Sequence, residues 1–227
     1  MTEPPAVEVR DLKVVYNENS PNEVIALDGF SLQVAKGQSL IITGGNGTGK
    51  STLLNAIAGS VPVKSGKIFL NGVDVTDWSP SRRGKTLGVV HQDTMLGTCP
   101  NLTLEENFQL TRVDRWWFPM PYRLKLTQNQ IASIRNTGLP LDARGATKIN
   151  MLSGGQRQAI AVCLAFENSK PILLFDEFTS ALDEPTKTKV LEYTFHQARF
   201  KGTTVLMVMH DVSDLRGYSY DILSLGQ

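Results

Sequence analysis

The sequence predicts an α/β fold with a mostly parallel sheet, an antiparallel β-rich N-terminal part and a helical insert. Three observations carry that prediction. Strand and helix patterns alternate before and after the middle of the chain, short uniformly apolar runs read as strands buried on both faces, and strand patterns stop between Thr94 and Gly145. At about 150 residues per domain, 227 residues make one large domain or two small ones, enough to bury a substantial core. Lys plus Arg number 23 against 22 Asp plus Glu, so the net charge of +1 supplies no general field toward nucleic acid or anionic lipid. A nucleic-acid partner is therefore not expected. The two cysteines, Cys99 and Cys163, form no disulfide framework or zinc ligand set, which points to a reducing compartment. The N-terminus lacks the basic and apolar regions of a secretory signal. The longest apolar run, Ala159–Phe166, falls well short of the roughly 18 residues that span a bilayer, so any membrane role must come through a partner.

Taken in order, alternating apolar residues in Ala6–Tyr16 and Ile25–Val34, separated by the turn-rich Asn17–Asn22, predict two antiparallel strands. Ser39–Thr43 is a short buried strand running into a glycine-rich turn. A helix follows over Lys50–Ala58, with Gly59 placed to terminate it. Lys67–Leu70 and Leu87–His91 add strands, the first leaving through the turn signal Asn71-Gly72. Helical patterns at Leu104–Leu110 and Gln128–Asn136 lie in the insert. Beyond it come a helix over Ser153–Phe166, a strand Ile172–Phe175, a helix Glu184–Arg199, a strand Thr203–Met209 and a last strand Asp221–Leu225. The expected organisation is one domain over 1–227, with a core and β-subdomain from 1–93 and 146–227 and a helical subdomain from 94–145. No regulatory C-terminal domain is expected after Gln227.

Gly44-Gly45-Asn46-Gly47-Thr48-Gly49-Lys50-Ser51 fits G-x-x-x-x-G-K-[ST], and it lies between a predicted strand and a predicted helix, as that motif requires. Its glycines let successive backbone N–H groups turn inward toward phosphate oxygens, and the helix that follows presents its positive end to the same charge. Lys50 is placed to neutralise the β- and γ-phosphates and Ser51 to ligate Mg²⁺. The competing reading, a glycine turn capping a helix, does not need those flanking elements.

The strand Ile172–Phe175 ends in Asp176-Glu177. Asp176 can hold Mg²⁺ through its water shell, and Glu177, pointing elsewhere, can orient or deprotonate an attacking water. An acidic turn after a strand is common by itself. With the phosphate loop upstream, the two segments together imply nucleoside triphosphate hydrolysis.

At Leu152-Ser153-Gly154-Gly155-Gln156 the sequence resembles the nucleotide-binding subunits of ATP-binding cassette (ABC) transporters, and the resemblance runs from Tyr16 to His210. Ser153, Gly154, Gly155 and Gln156 sit at a predicted helix N-terminus, a second site for the γ-phosphate of ATP. A serine–glycine helix cap is the plainer alternative. The resemblance implies that Tyr16 stacks on adenine and that Thr52 joins the phosphate loop in binding. It also implies that Gln92 senses the γ-phosphate through Mg²⁺ or the lytic water, and that His210 hydrogen-bonds the γ-phosphate and positions Glu177. Ser180-Ala181-Leu182-Asp183 resembles a loop at which two subunits meet, and it also reads as a helix N-cap. Phe178 stands where the family has proline, and Gln156-Arg157-Gln158-Ala159 departs from the more common Gln-Gln-Arg continuation.

The resemblance implies a homodimer, or a paired ATPase subunit, that sandwiches ATP and Mg²⁺. It would act on transmembrane permease subunits at the inner face of the cell membrane, as a cytoplasmic, peripheral protein. Met95–Asn107 is similar to a branch of bacterial uptake ATPases, some working with an extracytoplasmic solute-binding protein. Trp116–Tyr122 is either a docking surface for the membrane subunit or the insert's own core, and Arg112, Arg115 and Arg123 are solvated charges. The alternatives are an exporter ATPase for lipids or lipoproteins, a non-transport ABC ATPase, and a P-loop kinase or GTPase. The short distance from Lys50 to Ser153 leaves no room for the coiled-coil insert of the DNA-associated types. Leu152–Gln156 opposes the last class.

Overall fold

The computed structural model describes residues 3–111, 125–141 and 144–226. Two compact units emerge. The first comprises Met1–Val89, Lys170–Glu177 and Ala198–Gln227, and the second Val90–Ser169 and Phe178–Gln197.

In the first unit an antiparallel sheet has the order β2-β1-β4-β5, from β1 (Val7–Tyr16), β2 (Val24–Val34), β4 (Ser65–Leu70) and β5 (Val73–Asp74). Strand β1 shows how pattern becomes structure. Val7 and Val9 are buried, and so are Leu12 and Val14, although these two pairs lie in opposite phases of a two-residue repeat. A register shift between Val9 and Leu12, with Asp11 at φ 48°, absorbs the extra residue and returns both halves to the same face. A Cβ on Gly66 would stand 2.5 Å from the Asp11 carbonyl oxygen, so only glycine on the neighbouring strand passes this bulge. At Asn71-Gly72 both residues have positive φ, the requirement of a tight primed hairpin turn into β5.

The other sheet has the order β6-β7-β8-β3-β9, built from β3 (Ser39–Gly44), β6 (Leu87–Val90), β7 (Ile172–Asp176), β8 (Thr204–Val208) and β9 (Asp221–Leu225). Strands β7, β8, β3 and β9 pair in parallel. Every residue of Ile172–Phe175 and Thr204–Val208 is buried, as the unbroken apolar runs predict for a parallel sheet. Helix α1 (Lys50–Ala58) ends at Gly59 in the left-handed conformation, with its N–H returned to the helix carbonyls, so the expected stop is observed.

Arg83, at the end of the four-residue helix α2 (Pro80–Arg83), is 2% exposed. Its guanidinium donates to the carbonyls of Ala56 and Ile57 at the end of α1 and to those of Thr76 and Trp78. Desolvation lowers its pKa, while these carbonyls satisfy the donors.

The second unit carries α3 (Leu104–Leu110), α4 (Gln128–Asn136), α5 (Gly154–Glu167) and most of α6 (Glu184–Lys201). Three of these helices open on a closed capping box: Thr103 with Glu106, Thr127 with Gln130, and Ser153 with Gln156. Leu104, Phe108, Ile134, Ile160 and Phe166 are buried, and Phe166 meets Tyr193 edge to face at 6.0 Å. Asn107 is buried and shapes the segment before α3, accepting from the Cys99 N–H at 2.8 Å and donating to the carbonyls of Cys99 and Thr103. Both cysteines are free thiols, and burial pushes that of Cys163 up to about 12. Trp116–Tyr122, Arg112, Arg115 and Arg123 lie outside the described residues. Among the described residues no helix is long and apolar enough to cross a membrane.

Candidate functional site

Because β3, β7 and β8 run parallel, their carboxyl ends share one edge of the sheet, and the segments leaving that edge carry the motifs. Gly44 closes β3 at φ 144°, Gly47 and Gly49 have φ of 79° and 91°, and the chain then enters α1. A Cβ on Gly44 would stand 2.5 Å from the Leu225 carbonyl oxygen, and one on Gly49 2.6 Å from that of Ala26. Close packing as well as positive φ therefore demands glycine at both positions. No side chain caps the start of α1, so its first N–H groups face the loop that Gly44–Gly49 forms. Lys50 is 5% exposed, and its ammonium donates to the carbonyls of Gly44 at 2.9 Å and Gly45 at 2.7 Å, so the cation is held inside the loop.

Ser51 Oγ donates to Asp176 Oδ1 at 2.9 Å, joining the first turn of α1 to the end of β7. Hydroxyl and carboxylate are the hard oxygen donors that suit Mg²⁺, an ion that keeps several waters and binds few protein ligands. Among the described residues no group of three or more His, Cys, Asp and Glu side chains forms a dedicated metal cage. This donor set fits Mg²⁺ better than a transition metal.

One residue further, Glu177 takes φ 45°, unusual for a residue with a side chain, while its N–H donates to the Val208 carbonyl at 3.2 Å. Asp176 and Glu177, adjacent in the chain, thus take different partners. His210 follows Met209, whose N–H donates to the Ile42 carbonyl at 3.1 Å and so carries the β8–β3 ladder past the end of β8. His210 Nε2 lies 2.8 Å from Glu177 Oε1. The carboxylate is largely shielded and the imidazole half exposed, an arrangement in which a ring nitrogen fixes one oxygen and leaves the other to a water. Tyr16, at the end of β1, donates its hydroxyl to Thr52 Oγ1 at 3.3 Å, which places the ring beside the first turn of α1.

The second unit holds the remaining candidates. Ser153 is the N-cap of α5: its Oγ accepts the Gln156 N–H at 3.3 Å, while Gln156 Oε1 accepts the Ser153 N–H at 3.1 Å. The plainer reading of this segment, a helix cap, is thus physically present. Gly154 has open space around it, and a Cβ on Gly155 would meet Leu182 and Ala181 at 3.4 and 3.5 Å, so the Ser180–Asp183 loop backs onto the start of α5. Asp183 directly precedes α6, and its carbonyl accepts the Lys187 N–H at 2.8 Å. Gln92 is exposed, two residues beyond Val90, where β6 ends one residue earlier than the sequence predicts. Phe178, standing in place of proline, is buried.

Sequence reasoning missed two neighbours of this machinery. Leu225 and Gly226, at the end of β9, press against the phosphate loop through Gly44 and Thr48. Arg157 and Thr94, joined by a hydrogen bond of 3.1 Å, carry no motif signal.

A glycine loop wrapped around a buried lysine, and a serine bound to the carboxylate that ends a parallel strand, define a phosphate-loop nucleotide-hydrolysing cassette. The chain belongs to the ABC transporter family, whose profile matches residues 27–180. It is 34% identical over 207 residues to the tyrosine transport ATP-binding protein of Clostridioides difficile (strain R20291), covering 90% of this chain and 81% of that one. It is 31% identical over 229 residues to the phosphonates import ATP-binding protein PhnC of Hyphomonas neptunium (strain ATCC 15444), covering 96% and 86%. The dimeric post-hydrolysis state of the ATP-binding cassette MJ0796 bound to ADP and Pi superposes with a TM-score of 0.79 at 26% identity, covering 96% of this chain and 94% of that one. The chain is an ATP-hydrolysing subunit of an ABC transporter.

Proposed function

We propose that this cassette powers solute uptake through a separate membrane permease, working as a homodimer or with a paired ATPase subunit at the inner face of the cell membrane. The observation that carries the catalytic part is the Glu177–His210 pair at 2.8 Å, beside the Ser51–Asp176 pair at 2.9 Å. Uptake is supported by the relative named for phosphonates import, and pairing by the dimeric MJ0796 cassette. An extracytoplasmic solute-binding protein would complete such a system. Residues 94–145 serve as its helical subdomain.

In this reading the amides of Gly45–Gly49 and the Lys50 ammonium hold the β- and γ-phosphates, Thr52 supports the loop, and Tyr16 stacks on adenine. Ser51 and Asp176, with Gln92, would hold Mg²⁺, which when bound offsets phosphate charge. Glu177 orients the attacking water and accepts its proton, and His210 keeps that carboxylate in one rotamer and donates toward the γ-phosphate. Ser153, Gly154, Gly155 and Gln156 of the opposite copy meet the γ-phosphate from the other side. ATP thus favours the closed pair, and hydrolysis removes the charge that bridges it.

The test is Glu177→Gln. Hydrolysis should fall by about 10²-fold or more, and the variant should elute as a dimer with ATP and Mg²⁺. An unchanged turnover rate rejects Glu177 as the catalytic carboxylate. The uptake reading fails if vesicles holding the chain with its cognate permease show ATP-driven efflux instead.

A further inference from the structure

Arg157 lies in the first turn of α5, where a cation is disfavoured by the helix dipole and adds nothing to helix stability. Its guanidinium is committed elsewhere. Nη1 donates to the Leu152 carbonyl at 2.5 Å and Nε to Thr94 Oγ1 at 3.1 Å. Leu152 is the buried residue directly before Ser153, and Thr94 is a buried residue two positions after Gln92. Thr94 is itself held, because its carbonyl accepts the Thr98 hydroxyl at 3.1 Å. The next residue of the helix, Gln158, is 1% exposed, and its Nε2 donates to the His91 carbonyl at 3.3 Å. Consecutive residues of α5 therefore fasten both flanks of Gln92, at His91 and Thr94, and leave Gln92 and Asp93 exposed between them. Arg157 and Gln158 belong to the stretch that departs from the more common Gln-Gln-Arg continuation.

We propose that Arg157 is a positioning residue that clamps the Gln92 turn to the Leu152–Gln156 segment, so that the turn facing the chain's own ATP and the segment facing the opposite copy's ATP move as one piece. The proposal rests on the reading above that Gln92 addresses the nucleotide of its own copy and Ser153 the γ-phosphate bound by the opposite copy. A planar fork with two donors in fixed directions sets the mutual orientation of two segments, which the single swivelling ammonium of lysine does not. The clamp acts on turnover, since neither of its hydrogen bonds involves a residue of Gly44–Ser51.

The experiment is a double-mutant cycle on steady-state ATP hydrolysis by the full chain, with Arg157→Met, Thr94→Val and the pair, and Arg157→Lys alongside. Each single change should lower kcat about 5–10-fold with KM for ATP within about twofold, and the pair should be no slower than the slower single variant. Arg157→Lys should not restore the rate. Multiplicative losses in the pair, or wild-type kcat in Arg157→Lys, overturn the clamp. Should Arg157→Met fail to fold, Thr94→Val decides alone: a fall in kcat at unchanged melting temperature supports the proposal, and wild-type kcat overturns it. Gln92→Ala separates the two levels. If it leaves hydrolysis unchanged, the assignment of Gln92 and the clamp both fall. If it slows hydrolysis while the clamp variants do not, only the clamp falls.

Discussion

Helices α1 and α5 both follow glycine-bearing motifs, yet their first turns are finished in opposite ways. Helix α1 starts at Gly49 in the left-handed conformation with no side-chain cap, whereas α5 starts at Ser153 with both halves of a capping box in place. The first offers its N–H groups no side-chain partner. The second has satisfied two of its own donors before any ligand arrives. Similar composition thus gives one start that no side chain closes and another that is already a closed helix end. If a γ-phosphate reaches α5 as proposed, the Ser153 hydroxyl and the open side of Gly154 are the groups left to meet it.

This contrast can be broken experimentally, beginning at α1. Lys50→Ala removes the cation held on the Gly44 and Gly45 carbonyls, and should cost more than about 10²-fold in hydrolysis together with most ATP affinity. Calorimetric titration with ATP checks it, and wild-type affinity would deny the loop its role. Next in size is a pair of matched glycine substitutions. Gly49→Ala forces a side chain into φ 91° and against the Ala26 carbonyl, and should destabilise by about 1–3 kcal/mol. Gly154→Ala enters open space in a helical turn and should range from neutral to about 1 kcal/mol stabilising in urea denaturation. If Gly154→Ala is as costly as Gly49→Ala, the two helix starts are not built differently. Smallest is Ser153→Ala, expected to lose about 1 kcal/mol through the missing cap. Its hydrolysis rate sharpens the comparison: a rate loss beyond that explained by unfolding marks a ligand role for the hydroxyl, and an unchanged rate leaves Ser153 as a cap only.

Local chemistry made much of this molecule legible in advance. Lys50–Ala58, Leu104–Leu110, Gln128–Asn136 and Asp221–Leu225 form the elements expected of them, because apolar period, caps and glycine stops act over a few residues. The two-residue β5 and the short α2 escaped, being too brief to set up a period. Arg83 escaped for another reason. Composition places arginine at the surface, and the carbonyls left open at the end of α1, with those of Thr76 and Trp78, make its burial favourable. The clamp at Arg157 was hidden in the same way, since its partner Thr94 lies 63 residues earlier and belongs to no motif.

By itself the sequence determined which chemical groups exist and which local frames carry them: a glycine loop before a helix, a carboxylate pair closing a strand, a serine at a helix start. Those frames follow from backbone sterics and short-range hydrogen bonding, which act within a few residues of a motif. Tertiary structure alone decided which groups meet. Ser51 reaches Asp176 across 125 residues, and Glu177 reaches His210, because burying both faces of Ile172–Phe175 and Thr204–Val208 sets the strand order and brings their carboxyl ends to one edge. That order depends on the burial of whole faces, a property that no short stretch of sequence carries.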